Sequence, residues 1–247
     1  MNSITILATA DIHAHLHEFK RRFVPCDLCL IGGDIGPARG KYEIPNQVKW
    51  FKEEFLPWCE LQSQTTFVLV PGNAEYFVDK MLVAKLNASV EYVLPQNVVD
   101  FLVDEIYDYR GLLTIYGTPW TQWKNGKRGK GGAFARSDDE RERHFADMPF
   151  GVDILLTHGC PRLTRDLRER GLEYEYGDKK LRHAIHVKKP RLVLSGHSHN
   201  NPHDLIRMYD SDLFCVSLGE HDKAIYNPLK IIYDVDRKVF TYPEIAT

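Results

Sequence analysis

The chain has 247 residues, enough for a full hydrophobic core, and is expected to fold as one domain spanning residues 1–247. Its composition, 43% hydrophobic and 27% charged, is that of an ordinary globular protein. A formal net charge of −2 excludes a global field drawing it to nucleic acid or membrane, so local patches must carry any such preference.

The first apolar run, Ile4–Ala8, reads as a strand and not as a signal peptide, because no basic region precedes it and Asp11 and His13 interrupt it. Further strands are expected over Asp27–Ile31, Thr66–Val70, Val98–Val103, Leu112–Tyr116, Val152–Leu156, Arg191–Leu194, Leu213–Ser217, Leu229–Tyr233 and Val239–Tyr242. Helices are expected over Ala14–Phe23, Asn46–Leu56, Glu75–Leu86, Asp138–Ala146 and Lys179–Lys188. In the second helix Val48, Phe51 and Phe55 recur at helical spacing, the mark of a packed face, and Pro57 is expected to end it. The alternation predicts α/β layering with sheet in the middle, and the close later strands predict a second sheet built partly of hairpins. No apolar segment approaches the roughly 18 residues of a membrane span.

Cys26, Cys29, Cys59, Cys160 and Cys215 form an odd, scattered set. Cys26-x-x-Cys29 has redox or zinc spacing, but no second pair exists and Cys29 falls inside an apolar run, so reduced, packed thiols in the cytoplasm are expected. The stretch Trp120–Phe134 holds Lys124, Lys127, Arg128 and Lys130 among four glycines. It reads either as a mobile, solvated loop or as a flexible basic arm over an anionic substrate.

Five apolar runs end in metal-ligand residue types: Asp11 and His13, then Asp34, Asn73, His158, and finally His197 and His199. Each alone is weak, since a histidine at a strand end is more often a hydrogen-bonded structural residue. Together they are hard to produce by packing, because in open α/β sheets ligands bind beyond the carboxyl ends of the strands. Four imidazoles, two carboxylates and one amide are too many for one ordinary ion but suit two ions that share a carboxylate. Mixed nitrogen and oxygen donors favour Mn, Fe, Zn, Ni or Co over Ca or Mg.

Asp11-x-His13, Gly33-Asp34, Gly72-Asn73, His158 and Gly196-His197-x-His199 resemble, in order, the five signature blocks of the calcineurin-like metallophosphoesterases. The resemblance implies a four-layer α/β/β/α sandwich with a dinuclear centre. Asp11, His13, Asp34 and His199 would hold one ion, and Asp34 (bridging), Asn73, His158 and His197 the other. Tyr116–Trp123 is similar to a strand-end motif of a branch of small phosphodiesterases, which implies a small phosphodiester or nucleotide substrate and neither membrane nor long nucleic acid as partner. His15, Arg39, Trp120, Lys124 and Arg128 are the candidate substrate contacts.

One position departs from the pattern. The third block of the family reads Gly-Asn-His-Asp or Gly-Asn-His-Glu, and here it reads Gly72-Asn73-Ala74-Glu75. Ala74 stands where the family has an imidazole that contacts the phosphate and helps protonate the leaving oxygen. Sparing every ligand and Glu75, the change reads as inactivation by mutagenesis, or as a natural variant with His15 or His221 as proton source. A phosphodiesterase of reduced activity is therefore expected. The alternatives are a non-catalytic binding scaffold on the same fold, or a nuclease or phosphomonoesterase of the same superfamily. The stretch after Gly219 is shorter than the capping domain a nuclease would be expected to carry.

Overall fold

Alternate residues of the early strands face opposite ways, and both faces are apolar. Ile4, Ile6 and Ala8 of β1 (Ser3–Thr9) enter one core while Leu7 enters another. A strand apolar on both faces must be covered on both faces. The computed structural model describes residues 2–37, 43–127, 130–169, 171–172, 177–199, 203–219 and 225–243. The first half continues with α1 (Leu16–Arg22), β2 (Leu28–Gly32), α2 (Ile44–Trp50), α3 (Leu56–Leu61), β3 (Thr66–Val70), α4 (Lys80–Lys85) and β4 (Val98–Val99). Then come β5 (Glu105–Tyr109), β6 (Leu113–Thr118), β7 (Thr121–Gln122), β8 (Ala135–Arg136), α5 (Asp138–Ala146), β9 (Ile154–Thr157), α6 (Arg165–Glu169) and α7 (Lys179–Lys188). The chain closes with β10 (Leu192–Ser195), β11 (Ile206–Met208), β12 (Ser211–Cys215), β13 (Leu229–Asp234) and β14 (Val239–Thr241).

Among the described residues the strands form two six-stranded sheets, ordered β14-β13-β1-β2-β3-β4 and β11-β12-β10-β9-β6-β5, and β7 pairs with β8 separately. One core lies between the sheets, joining Leu28, Leu30 and Val68 of the first to Ile115, Ile154 and Leu194 of the second. Another packs Cys29, Ile31 and Leu69 of the first sheet against Phe19, Phe51 and Phe55. A third packs Leu155 and Val193 of the second sheet against Phe145, Leu181 and Ile185. Three cores separate four layers, so the architecture is the expected α/β/β/α sandwich.

Several elements differ from expectation for local reasons. The helical segment runs past Pro57 to Leu61, through a π-helical turn at Phe51–Phe55. Proline lacks an N–H and crowds the carbonyl four residues back, and the widened turn before it accommodates that mismatch. The helix expected over Glu75–Leu86 begins at Lys80, where Asp79 Oδ1 accepts from the N–H groups of Met81 and Leu82. The strand expected over Val98–Val103 is confined to Val98–Val99. Strands β5 and β11 add antiparallel hairpins to the second sheet. Helix α5 starts at a capping box, Ser137 with Glu140, as its sequence dictates. Its buried Arg141 donates from Nε to Asp178 Oδ2 at 2.5 Å. The other oxygen of Asp178 caps α7, so one carboxylate joins the two helices.

Candidate metal centre

Parallel strands in register end together. Thr9 pairs with Ile31, Gly32 with Val70, and Thr157 with Ser195. The residues that follow these pairs therefore emerge at the same edges of the two sheets. The sheets are joined there, because Ala10 N–H donates to Val216 at 2.9 Å and Leu218 N–H to Ala10 at 2.8 Å.

Asp11, His13, Asp34 and His197 all adopt the left-handed backbone, with φ of 56°, 45°, 50° and 64°. Such conformations cost of order 1–3 kcal/mol each in non-glycine residues and persist where the surroundings over-determine them. Glycines make the close approach possible. A Cβ on Gly72 would stand 2.2 Å from Asp34 Oδ1, and one on Gly33 would stand 2.6 Å from His158 Nδ1.

Two groups of donor atoms converge, Asp11 with His13 and His199, and Asp11 with Asp34 and His158. Asp34 Oδ2 lies 3.7 Å from His13 Nε2, and its Oδ1 lies 3.5 Å from His158 Nε2. His199 Nε2 is 3.7 Å from Asp11 Oδ1, and His158 Nε2 is 3.0 Å from Asn73 Oδ1. The His197 ring lies 5.0 Å from that of His158. Donors sharing one ion at bonds of about 2.1 Å stand roughly 3.0–3.4 Å apart, so these separations are close to a coordination shell. Charge points the same way. Asp11 and Asp34 are 2% and 4% exposed, and among the described residues no lysine or arginine pairs with either. A buried carboxylate must be hydrogen-bonded, paired or bound to a cation, and here imidazoles and backbone N–H groups surround both. The donor set therefore fits divalent metal.

Protonation follows from these contacts. Burial pushes Asp11 up, but the His199 hydrogen bond and the histidine charges outweigh it and hold the carboxyl well below the usual range. Burial, with the neighbouring His158, lowers His197 to about 4, so its imidazole is neutral. Burial opposes protonation of His158, but Asp34 and Asp11 raise its pKa. Burial and Asp34 push Glu75 up to about 7, against the pull of the N–H groups around it.

Ala74 is 3% exposed, its N–H donating to Asp34 Oδ1 at 2.7 Å and its carbonyl accepting from Gln47 Nε2 at 2.6 Å. Its backbone thus takes part in the site while its methyl offers no proton. Gln47 and Glu75 were not among the expected site residues, and nothing in the spacing of Gln47 announces its contact. His15 starts α1, its carbonyl accepting from Glu18 and Phe19, and belongs to neither donor group.

Trp120, expected to face substrate, is 6% exposed. Its Nε1 donates to Asp104, and its ring stacks on His144 at 3.7 Å. That places the indole in the packing between β6 and α5. The loop expected to be a mobile or flexible arm has a fixed base, since Thr121 pairs with Ala135 and Ala133 N–H donates to Asn73 O at 2.9 Å. Lys124 is exposed on that loop. Arg39, Arg128 and His221 lie outside the described residues. The five cysteines are free and buried, Cys26 and Cys29 included. Among the described residues no helix is long and apolar enough to cross a membrane.

Comparison with known proteins agrees with this geometry. A family model described as calcineurin-like phosphoesterase matches residues 4–201. Metallophosphoesterase domain-containing protein 1 of Homo sapiens is 28% identical over 209 residues, and its Mus musculus counterpart matches equally. The match covers 78% of this chain and 60% of either mammalian protein, so the chain spans about 60% of the length of these relatives. The structure of TT1561 from Thermus thermophilus superposes with a TM-score of 0.57 at 17% identity, covering 97% of this chain and 98% of that one. A putative 5'-nucleotidase from Staphylococcus aureus, solved with alpha-ketoglutarate, superposes at 0.50 and 14% identity, covering 98% of this chain and 53% of that one. At such identities the structures speak for the fold, whereas the family match rests on most of the chain. The strand-end blocks, the four layers and that match agree, and the chain belongs to the calcineurin-like phosphoesterase family.

Proposed function

We propose that this protein is a phosphodiesterase acting on small, nucleotide-type phosphodiesters at a pair of divalent transition ions, with weakened proton delivery to the leaving group. The observation that carries the reading is Asp34, a buried carboxylate whose two oxygens face different imidazoles, His13 at 3.7 Å and His158 at 3.5 Å. That placement supports Asp34 as the shared ligand, with Asp11, common to both converging donor groups, beside it. Asp11, His13, Asp34 and His199 would hold one ion, and Asp34, Asn73, His158 and His197 the other. When bound, such a pair clamps a phosphate and makes water acidic enough to attack it.

The chain supplies the rest. His197, neutral by burial, can donate its lone pair without first losing a proton. Asn73 adds a neutral oxygen, which limits the negative charge of the ligand set. Lys124, Lys127 and Lys130, with Arg128, place positive charge on a loop whose base rests on Asn73, which favours an anionic substrate. Ala74 leaves no acid where the family's third block has histidine, so His15, His221 or solvent must protonate the leaving oxygen. The free, buried cysteines suit a reducing, cytoplasmic setting.

Metal analysis of supplemented protein, with a panel of cyclic and linear nucleotides assayed on the chain and on Ala74→His, tests the reading. About two transition ions per chain and turnover of small diesters are expected, with Asp34→Asn weakening both ions because the shared charge is lost. Fewer than about one ion per chain would overturn the two-metal assignment. Full metal loading with no turnover by either form would favour a binding scaffold.

A further inference from the structure

We infer that Glu75 is a positioning residue for the metal centre, a buried carboxylate that locks the loop after β2 to the loop after β3. The inference rests on the reading of Asp34 and Asn73 as ligands of a common ion. Glu75 is 1% exposed, and its oxygens accept four backbone N–H groups. Three belong to the loop that carries Asp34, namely Asp34 at 2.8 Å, Ile35 at 2.9 Å and Gly36 at 3.0 Å. The fourth, Gly72 at 2.6 Å, immediately precedes Asn73. Neither loop has a strand partner at this point, so these donors would otherwise be buried and unmatched.

The grip extends one step further. Carbonyls of the same loop, Gly33, Asp34 and Ile35, accept from Asp11, His13 and Ala14 at 2.9, 2.8 and 2.9 Å. The segment held by Glu75 is therefore the template for the segment that presents Asp11 and His13. Control is graded. Asp34 and Asn73 are placed by loops that Glu75 touches, and Asp11 and His13 by a loop that only leans on one of them. The clamp uses the side chain of residue 75 and only the backbone of residue 74, through the Ala74 N–H to Asp34 Oδ1 at 2.7 Å. An imidazole can thus be absent at 74 while the ligand loops stay in place.

The ionised form of Glu75, the form four backbone N–H donors call for, is acceptor-only, whereas glutamine would turn an amide NH₂ towards those donors. The test compares the full chain with Glu75→Gln and with Glu75→Asp, which keeps the charge on a shorter stem. Hydrogen exchange is measured on metal-free protein, then Mn²⁺ binding by calorimetry. In Glu75→Gln, exchange should accelerate at Asp34–Gly36 and Gly72, and the affinity of the Asp34–Asn73 site should fall about 10–100-fold. The other ion, which shares Asp34 but is otherwise held by Asp11, His13 and His199, should weaken less, and Glu75→Asp should lie between. Unchanged exchange and an unchanged isotherm would overturn the inference, as would equal weakening of both ions with a general loss of Tm. Should Glu75→Gln not fold, Glu75→Asp carries the same comparison. Failure of the unsubstituted chain to bind Mn²⁺ would refute the metal reading, while the exchange arm would still report on the clamp.

Discussion

At the scale of single residues, the chemistry separates into side chains that hold and one that is missing. Of the candidate ligands, Asp11, His13, Asp34 and His197 occupy strained backbone and Asp11, Asp34 and His158 are buried, whereas residue 74 contributes N–H, carbonyl and a methyl group. Ala74→His should therefore raise kcat without changing metal content. General acid help is worth about 10²–10⁴-fold, and the gain should be largest for alkyl leaving groups and smallest for nitrophenyl esters, which need little proton donation. The check is kcat for both forms on one alkyl and one aryl diester at matched metal occupancy. Equal rates on the alkyl diester would point to His15 or His221 as the proton source. Because Ala74 is buried, the larger side chain should also cost stability, about 1–3 kcal/mol if the site must expand to take it.

At the scale of elements, the basic loop and the helices follow their sequence patterns to different extents. The loop between β7 and β8 combines a base tied to Asn73 with three exposed lysines, Lys124, Lys127 and Lys130. Replacing Lys124, Lys127, Arg128 and Lys130 by serine should raise KM for anionic substrates and flatten its dependence on salt, because screening acts only where charge is present. The kcat should change little, as the base is untouched. Kinetics unaltered across a salt series would assign these charges to solvation. The helices α5 and α7 were legible residue for residue, since a capping Ser137 and Asp178 are local signals. The continuation past Pro57 was not, because the widened turn that admits the proline packs on residues remote in the chain, with Phe51 5.3 Å from Phe77 and 5.4 Å from Phe101 between centroids.

For the whole molecule, the two sheets are joined by a single apolar interior and, at one end, by the candidate ligand set. His158 of the second sheet reaches Gly32 O of the first at 2.9 Å. Bound metal should then stabilise the sandwich as a whole, by about 2.7 kcal/mol when the ion is at 100 times its dissociation constant. Chelation should lower Tm, and the shift should shrink in Asp34→Asn. A Tm indifferent to chelator would mean that the strand ends are held without metal. Ile115→Ala, deep between the sheets, should instead cost about 2–5 kcal/mol whether or not metal is present.

The sequence by itself determined the order of the strands that carry the site, the ligand residue types at their ends and the identity of the departing position. These are local facts: apolar runs, glycine turns and side-chain chemistry are written in consecutive residues. It also carried Glu75 as a retained letter of a block, but not its task. That four N–H groups from two loops would meet one carboxylate, that Asp34 would present its oxygens to His13 and His158, and that Trp120 would turn to Asp104 and His144 were decided only by tertiary structure. Each depends on how far two sheets sit apart and how their strands register. Such distances arise from packing among residues remote in the chain, so no local pattern can encode them.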